Sequence, residues 1–220
     1  VFVNFLKVGA DIPHFAVYLL MGIVLWNYFT EVTTNGLSAI VGKGDLMRKL
    51  AFPRYVVVVA GSFSALINLA INLVVVGVFI AFNGVSIGWS ALWLIPLIIE
   101  LFIFALSIAF LLSALYVKFR DINYIWEVVL QAGFYATPIL YPISLVVEKS
   151  HMAAKLMLLN PVAQVIQDVR ANVISSDTTT LYTLFQHRSV YLIPFGIVGL
   201  LLVASVVYFK KKSPGFAEEI

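Results

Sequence analysis

Cysteine is absent from the 220 residues, and charge is scarce: Asp, Glu, Lys and Arg together make up 11%. The first absence excludes a small disulfide-stapled scaffold and leaves the redox compartment open. The second excludes an ordinary soluble enzyme, in which about a quarter of residues are charged. It also excludes a disordered chain, which is rich in charge and poor in apolar groups. Catalytic constellations are missing too. Gly42-Lys43-Gly44 lacks the leading Gly and the following Ser or Thr of a phosphate-binding loop. His14, His151 and His187 are scattered without metal-ligand spacing. No Ser–His pair sits within an apolar run, and no paired carboxylates suggest glycosidic chemistry. The expectation is a chain without catalysis or cofactor of its own; an ATP-driven process would need a separate subunit.

What is present is apolar: 62% of the residues, gathered in runs far longer than a soluble core helix needs. A helical span takes about 20 mostly apolar residues to cross a core of about 30 Å. Runs of this length lie at 13–30, 56–82, 91–117, 122–141 and 190–209. No alternating barrel pattern is present, so the expected fold class is an all-α polytopic membrane protein. Val1 to Leu6 reads as the tail of one more apolar helix, with no basic stretch before it. The expectation is therefore a chain that begins inside a first span, whose end is 1–8, rather than a signal peptide.

The net charge of +3 is not a nucleic-acid signal, because the basic residues sit in short connections. Nine of the fourteen fall on one side: Lys43, Arg48, Lys49, Arg54, Lys118, Arg120, Lys210, Lys211 and Lys212. The other five are spread over longer segments. The positive-inside rule puts the nine in the cytoplasm. Parity then gives six spans, counting the truncated first, with both ends cytoplasmic.

Residues 142–189 form the one long connection, expected on the outer side. Pro138 and Pro142 break the end of the fifth span. Asn160-Pro161 fits a helix N-cap followed by proline at the first helical position. Val162, Val165, Ile166, Val169 and Val173 then recur at helical spacing, while Gln164, Gln167, Asp168 and Arg170 fall elsewhere on the wheel. Two short helices that dip in and return fit this pattern; so does a small cap that only covers the bundle.

Polar groups inside the spans mark candidate path residues. In the fifth span Tyr124, Glu127, Gln131, Tyr135 and Pro138 share one face at 100° per residue. Aromatic rings beside amide and carboxylate groups suit sugar passage; an interface belt with helix–helix contacts fits the same stripe. Glu100 inside the fourth span is either a path-lining group or a carboxyl hydrogen-bonded to a neighbouring helix. Ser64, Asn68 and Asn72 recur every four residues, where interhelical hydrogen bonding is the default. In the cytoplasmic segment 42–55, Asp45 caps a short helix with Leu46, Met47 and Leu50 on one face and Arg48 and Lys49 on the other. It suits docking to a soluble partner, or lying on anionic lipid.

Four stretches together resemble the permease subunits of type-2 ABC exporters for polysaccharides such as O-antigen, capsule and teichoic acid. They are Asn35-Gly36-Leu37 to Phe52-Pro53-Arg54, Lys118-Phe119-Arg120-Asp121-Ile122, Thr137-Pro138-Ile139 with Leu159-Asn160-Pro161, and Phe216-Ala217-Glu218-Glu219. The resemblance implies two permeases around a channel in a bacterial inner membrane. It also implies two separate ABC ATPase subunits that bind ATP and Mg, and a lipid-linked glycan entering from the cytoplasmic leaflet. Under it Asp45, Arg48, Lys49 and Arg54 face the ATPase, and Tyr124, Glu127, Gln131, Tyr135 and Glu100 line the path. Pro138, Pro142, Asn160 and Pro161 belong to the outer gate. A type-2 exporter of a drug or another lipid would share this architecture. A secondary transporter without an ATPase would show an internal repeat, which the sequence lacks.

Overall fold

The computed structural model describes residues 14–44 and 53–216. Among them every regular element is a helix. Four helical stretches are long and apolar enough to cross a membrane. The first, α1 (Phe15–Ala39), has most of its window buried inside the protein. The others are α2 (Tyr55–Phe82), α3 (Leu94–Lys118, entered through a 3-10 turn at Trp89–Trp93) and, towards the C-terminus, a helix over Leu192–Lys212. The chain is thus an all-α, multi-pass membrane protein.

Helix α1 lies at the centre, packed against α2 and α3, and the C-terminal helix packs against the far side of α3. The α1–α3 crossing is close because both helices are small there. A Cβ on Gly36 would overlap Ala109 Cβ and sit 2.9 Å from Ala109 Cα. Small residues let two backbones approach in lipid, where dispersion rather than water release drives association. By contrast α2 and the C-terminal helix turn Phe63, Ile67, Ile71, Leu200 and Val203 outward. In water such a surface would aggregate; in a bilayer it is the lipid face.

Helix α1 runs nine residues beyond the apolar stretch that ends at Thr30. Two of its polar groups there find partners, one within α1 and one on α2. Thr33 Oγ1 donates to the Phe29 carbonyl at 2.9 Å, and Glu31 Oε1 accepts from Asn68 Nδ2 of α2 at 2.6 Å. Of the Ser64–Asn68–Asn72 ladder only Asn68 reaches another helix; Ser64 and Asn72 donate to carbonyls of α2 itself.

Helix α4 (Ile122–Ala136) is shorter than the span expected over 122–141. Its 15 residues rise roughly 22 Å, less than a bilayer core of about 30 Å. It ends where Pro138 requires it to. Proline disfavours helical backbone in the residue before it, and Thr137 is extended at φ −94°, ψ 138°.

Beyond it the chain forms four short helices where two were expected. They are α5 (Ser144–Lys149), α6 (His151–Leu158), α7 (Pro161–Val173) and α8 (Leu181–Phe185), followed by α9, the C-terminal span Leu192–Lys212. Caps separate them. Ser150 accepts from the Ala153 N–H, and Asn160 Oδ1 from the Val162 N–H. Thr180 and Thr183 exchange side-chain and backbone bonds as a capping box. Ile143, Ala154, Leu158, Ala163 and Leu181 give this cap its own small core. Helix α7 is tucked into the bundle against α1, α3 and α9 and is buried on every side from Pro161 to Arg170.

Candidate functional site

A groove of about 450 Å³ runs between α1 and α4. Helix α1 contributes Asn27, Thr30 and Thr34, whose spacing puts them on one side. From α4 come Asn123, Glu127, Gln131 and Tyr135, with Trp26, Trp126 and Phe134 as aromatic walls. The two helices are pinned at two points. Trp126 Nε1 donates to Thr33 Oγ1 at 3.2 Å. Gly133 lets the Trp26 indole pack against the α4 backbone, since a Cβ there would lie 2.9 Å from Trp26 Cη2. The Trp26 and Phe134 rings meet edge-on at 6.0 Å. Nothing on α4 is buried within the chain. Among the described residues neither Glu127 nor Gln131 spends its side chain on an intramolecular hydrogen bond. The groove thus offers rings for stacking and free carboxylate and amide groups for hydroxyls.

The structure brings Glu127, Gln131 and Tyr135 of the expected path together in this groove. Tyr124 lies on the same helix, 69% exposed, but outside the groove wall. Glu100 lies elsewhere: it is buried on α3 beside Gln164 and Asp168 of α7. Pro138, Pro142 and Pro161 are buried under the cap, while Asn160 is exposed at the α7 N-terminus. Arg54 stands at the start of α2, where it shares a hollow of about 900 Å³ with Lys210 of α9. Two basic groups from distant parts of the sequence thus meet at the end of the bundle opposite the cap. Asp45, Arg48 and Lys49 lie outside the described residues.

One residue that the wheel put merely on a polar face turns out to hold the cap. Arg170 is fully buried, and its guanidinium makes four hydrogen bonds. Nε donates to the Tyr18 carbonyl of α1 at 3.0 Å. Nη1 donates to the Pro138 carbonyl at 2.6 Å and to Gln167 Oε1 at 3.1 Å. Nη2 donates to the Ile139 carbonyl at 2.8 Å. The guanidinium carbon sits 3.7 Å from the Tyr18 ring centroid, and Tyr18 Oη donates to Gln167 Oε1. Burial pulls this group down to about 10, opposed by Tyr18, so it stays charged at neutral pH. Gly22 makes room for it, because a Cβ there would collide with Nη2. The signal available in the sequence was a single basic residue, two positions after Asp168, on a helical stretch that follows a proline-broken span.

On the same helix Asp168 accepts from Gln164 Nε2 at 2.6 Å and from Tyr191 Oη at 3.0 Å. Burial pushes this carboxyl up to about 6, against the pull of those two donors. Among the described residues no cluster of His, Asp and Glu has the makings of a metal site.

Comparison with known proteins places this architecture. The family model described as "ABC-2 type transporter" matches residues 1–174. The O-antigen export system permease protein RfbA of Myxococcus xanthus is 29% identical over 219 residues, covering 96% of this chain and 78% of that protein. The RfbA protein of Klebsiella pneumoniae is 29% identical over 166 residues, covering 75% of this chain. A second Klebsiella pneumoniae RfbA is 28% identical over the same length. The aligned part spans 63% of each Klebsiella protein, somewhat under two thirds. With the family match covering most of the chain and the multi-pass helical fold beneath it, the chain belongs to the ABC-2 type transporter family.

Proposed function

We propose that this chain is the membrane-spanning permease of an ATP-driven exporter, and that its cargo is a lipid-linked polysaccharide of the O-antigen kind. The observation that carries the reading is the α1–α4 groove. It sets Trp26, Trp126 and Tyr135 beside Asn27, Glu127 and Gln131, none of which an apolar cargo would need. The relatives named for O-antigen export support the same cargo class. Rings stack on the apolar faces of pyranoses, while amides and carboxylates hold their hydroxyls. Glu127, Gln131 and Tyr135 line the path, and Tyr124 stands beside it on the exposed face of α4. Glu100, buried under α7, acts on it through the gate formed by Pro138, Pro142, Asn160 and Pro161.

The chain holds no ATP site of its own; a separate ABC ATPase binds ATP and Mg. It docks at the basic end of the bundle, on Asp45, Arg48, Lys49 and Arg54. A second copy completes the channel along the uncovered side of α4. The excess of Lys and Arg at the end opposite the cap makes that end cytoplasmic, in a bacterial inner membrane.

The test is surface-glycan export in a strain whose permease is replaced by variants of the full-length protein. Glu127→Leu and Tyr135→Leu should each cut surface glycan severalfold at unchanged membrane abundance. The Arg48→Glu, Lys49→Glu double variant should abolish export and lose the ATPase on mild-detergent purification. Normal surface glycan in both path variants would remove the groove from the path. Retained ATPase in the reversed variant would remove the docking assignment.

A further inference from the structure

A second cavity lies on the opposite flank of the bundle, between the start of α3, helices α7 and α8, and the start of α9. It measures about 460 Å³, within the range of about 300–1,000 Å³ typical of small-molecule sites. Its chemistry is graded from floor to rim. The floor is acceptor-rich. Gln164 and Asp168 are 1% and 5% exposed, and Gln164 Oε1, fully buried, has no partner among the described residues. A buried amide oxygen without a donor costs free energy that a bound N–H or O–H would recover. Asp168 adds a carboxylate with no basic side chain in contact among the described residues, and Glu100 lies just beneath both. The rim carries the opposite charge: Arg188 is exposed, its guanidinium over the Tyr182 ring at 5.9 Å.

One side of the mouth is apolar. Trp93 and Phe195 flank it at 63% and 51% exposure. Above and below them Leu92, Ile95 and Leu192 are exposed on the two spans. A ligand here has a hydrogen-bond-donating cation at the bottom, an anion at the rim and an apolar tail along α3 and α9.

We propose that this cavity binds the head group of a phospholipid carrying a primary ammonium and a phosphate. The ammonium donates to Gln164 Oε1 and Asp168, and the phosphate meets Arg188. The acyl chains lie on Trp93 and Phe195 in the leaflet on the side of the short-helix cap. Three N–H donors distinguish this head group from choline, whose quaternary nitrogen cannot satisfy Gln164. Its cation distinguishes it from a glycerol head group, which would bring only negative charge towards Asp168. Because the head group bridges α7, α3 and α9, its binding bears on the element that holds the cap.

Native mass spectrometry of the full-length protein in mild detergent tests this, with dioleoyl phosphatidylethanolamine, phosphatidylcholine and phosphatidylglycerol added at equal ratios. Wild type should retain the ethanolamine lipid about tenfold better than the choline lipid, as one charge-assisted hydrogen bond would give. Asp168→Asn should erase that preference. Since Asp168 also bonds Gln164 and Tyr191, Arg188→Gln at the exposed rim serves as the second variant. It should lower retention of the ethanolamine lipid severalfold without moving the thermal midpoint. Equal retention of all three lipids by wild type would overturn the proposal. So would preferential retention of the glycerol lipid, or displacement of the ethanolamine lipid by a free hexose.

Discussion

Arg170 draws three separate parts of the chain onto one side chain: the α1 backbone at Tyr18, the break after α4 at Pro138 and Ile139, and α7 itself. Each buried carbonyl stripped of its donor costs about 1–3 kcal/mol. Arg170→Ala strips two of them, at Pro138 and Ile139, while the Tyr18 carbonyl keeps its helical donor, so the loss is on the order of 3 kcal/mol. In a chain of this length that lowers the thermal midpoint by roughly 6–12 °C. Gly22→Ala attacks the same contact from the other side, since its Cβ would take the space of Nη2. The two changes should therefore not add. The double variant is expected to melt where Arg170→Ala melts, and a midpoint lowered by the sum of the two would show that they act independently. Little of this was legible in the sequence. A helical wheel put Arg170 off the apolar stripe of α7, but it names a face and not what covers that face. Arg170's main acceptors are backbone carbonyls, which no side-chain pattern records. The Asn160 cap was legible, because Asn before Pro at a helix start has a local cause.

At the scale of elements, long helices α1, α2, α3 and α9 lie over four of the long apolar runs, with ends that differ from those runs by at most nine residues. Helix α1 continues nine residues past the apolar run at 13–30, where Asn68 and the Phe29 carbonyl satisfy Glu31 and Thr33, partners that hydropathy does not register. Helix α4 stops short of the span read over 122–141, at the first of the two prolines expected to break it, because the residue before Pro138, Thr137, is already extended. The Thr180–Thr183 box escaped notice because the usual signature carries Glu or Gln at the fourth position. Packing between elements was less legible still. Two glycines 25 positions apart look alike in sequence, yet Gly36 lies against Ala109 and Gly61 has only Asn35 Cβ, at 3.9 Å. Gly36→Ala forces α1 and α3 apart, at a cost of about 1–3 kcal/mol for overpacking. Gly61→Ala fits ordinary contact and removes a flexible helix position, for a gain of about 0.5–1 kcal/mol. Thermal unfolding of the two variants in the same detergent should move in opposite directions. A fall of equal size in both would mean that the α1–α3 approach is not what Gly36 serves.

The whole molecule is lopsided in what its outer helices expose. Helices α2 and α9 expose mainly apolar side chains along their spans, with Ser64, Asn68 and Asn72 the polar exceptions on α2. Helix α4 shows a mixed surface: Tyr124 and Val128 are 69% and 65% exposed, next to the polar groups of the groove. Lipid does not solvate Glu127 and Gln131, so that side requires water, cargo or protein. In the proposed exporter, with a second copy across the channel, α4 would approach its symmetry mate while α9 stayed at the periphery, because a two-fold interface brings the same patch together from both sides. The absence of cysteine makes this directly testable, since any introduced thiol is the only one in the chain. Tyr124→Cys and Val128→Cys, treated in native membranes with a short bismaleimide, should give a covalent dimer. Leu200→Cys on α9, 75% exposed, should stay monomeric under the same treatment. Equal cross-linking at all three positions would indicate random collision in the bilayer. A dimer formed through Leu200→Cys alone would put α9 at the interface and leave the α1–α4 groove facing lipid, where its carboxylate and amides have no physical account.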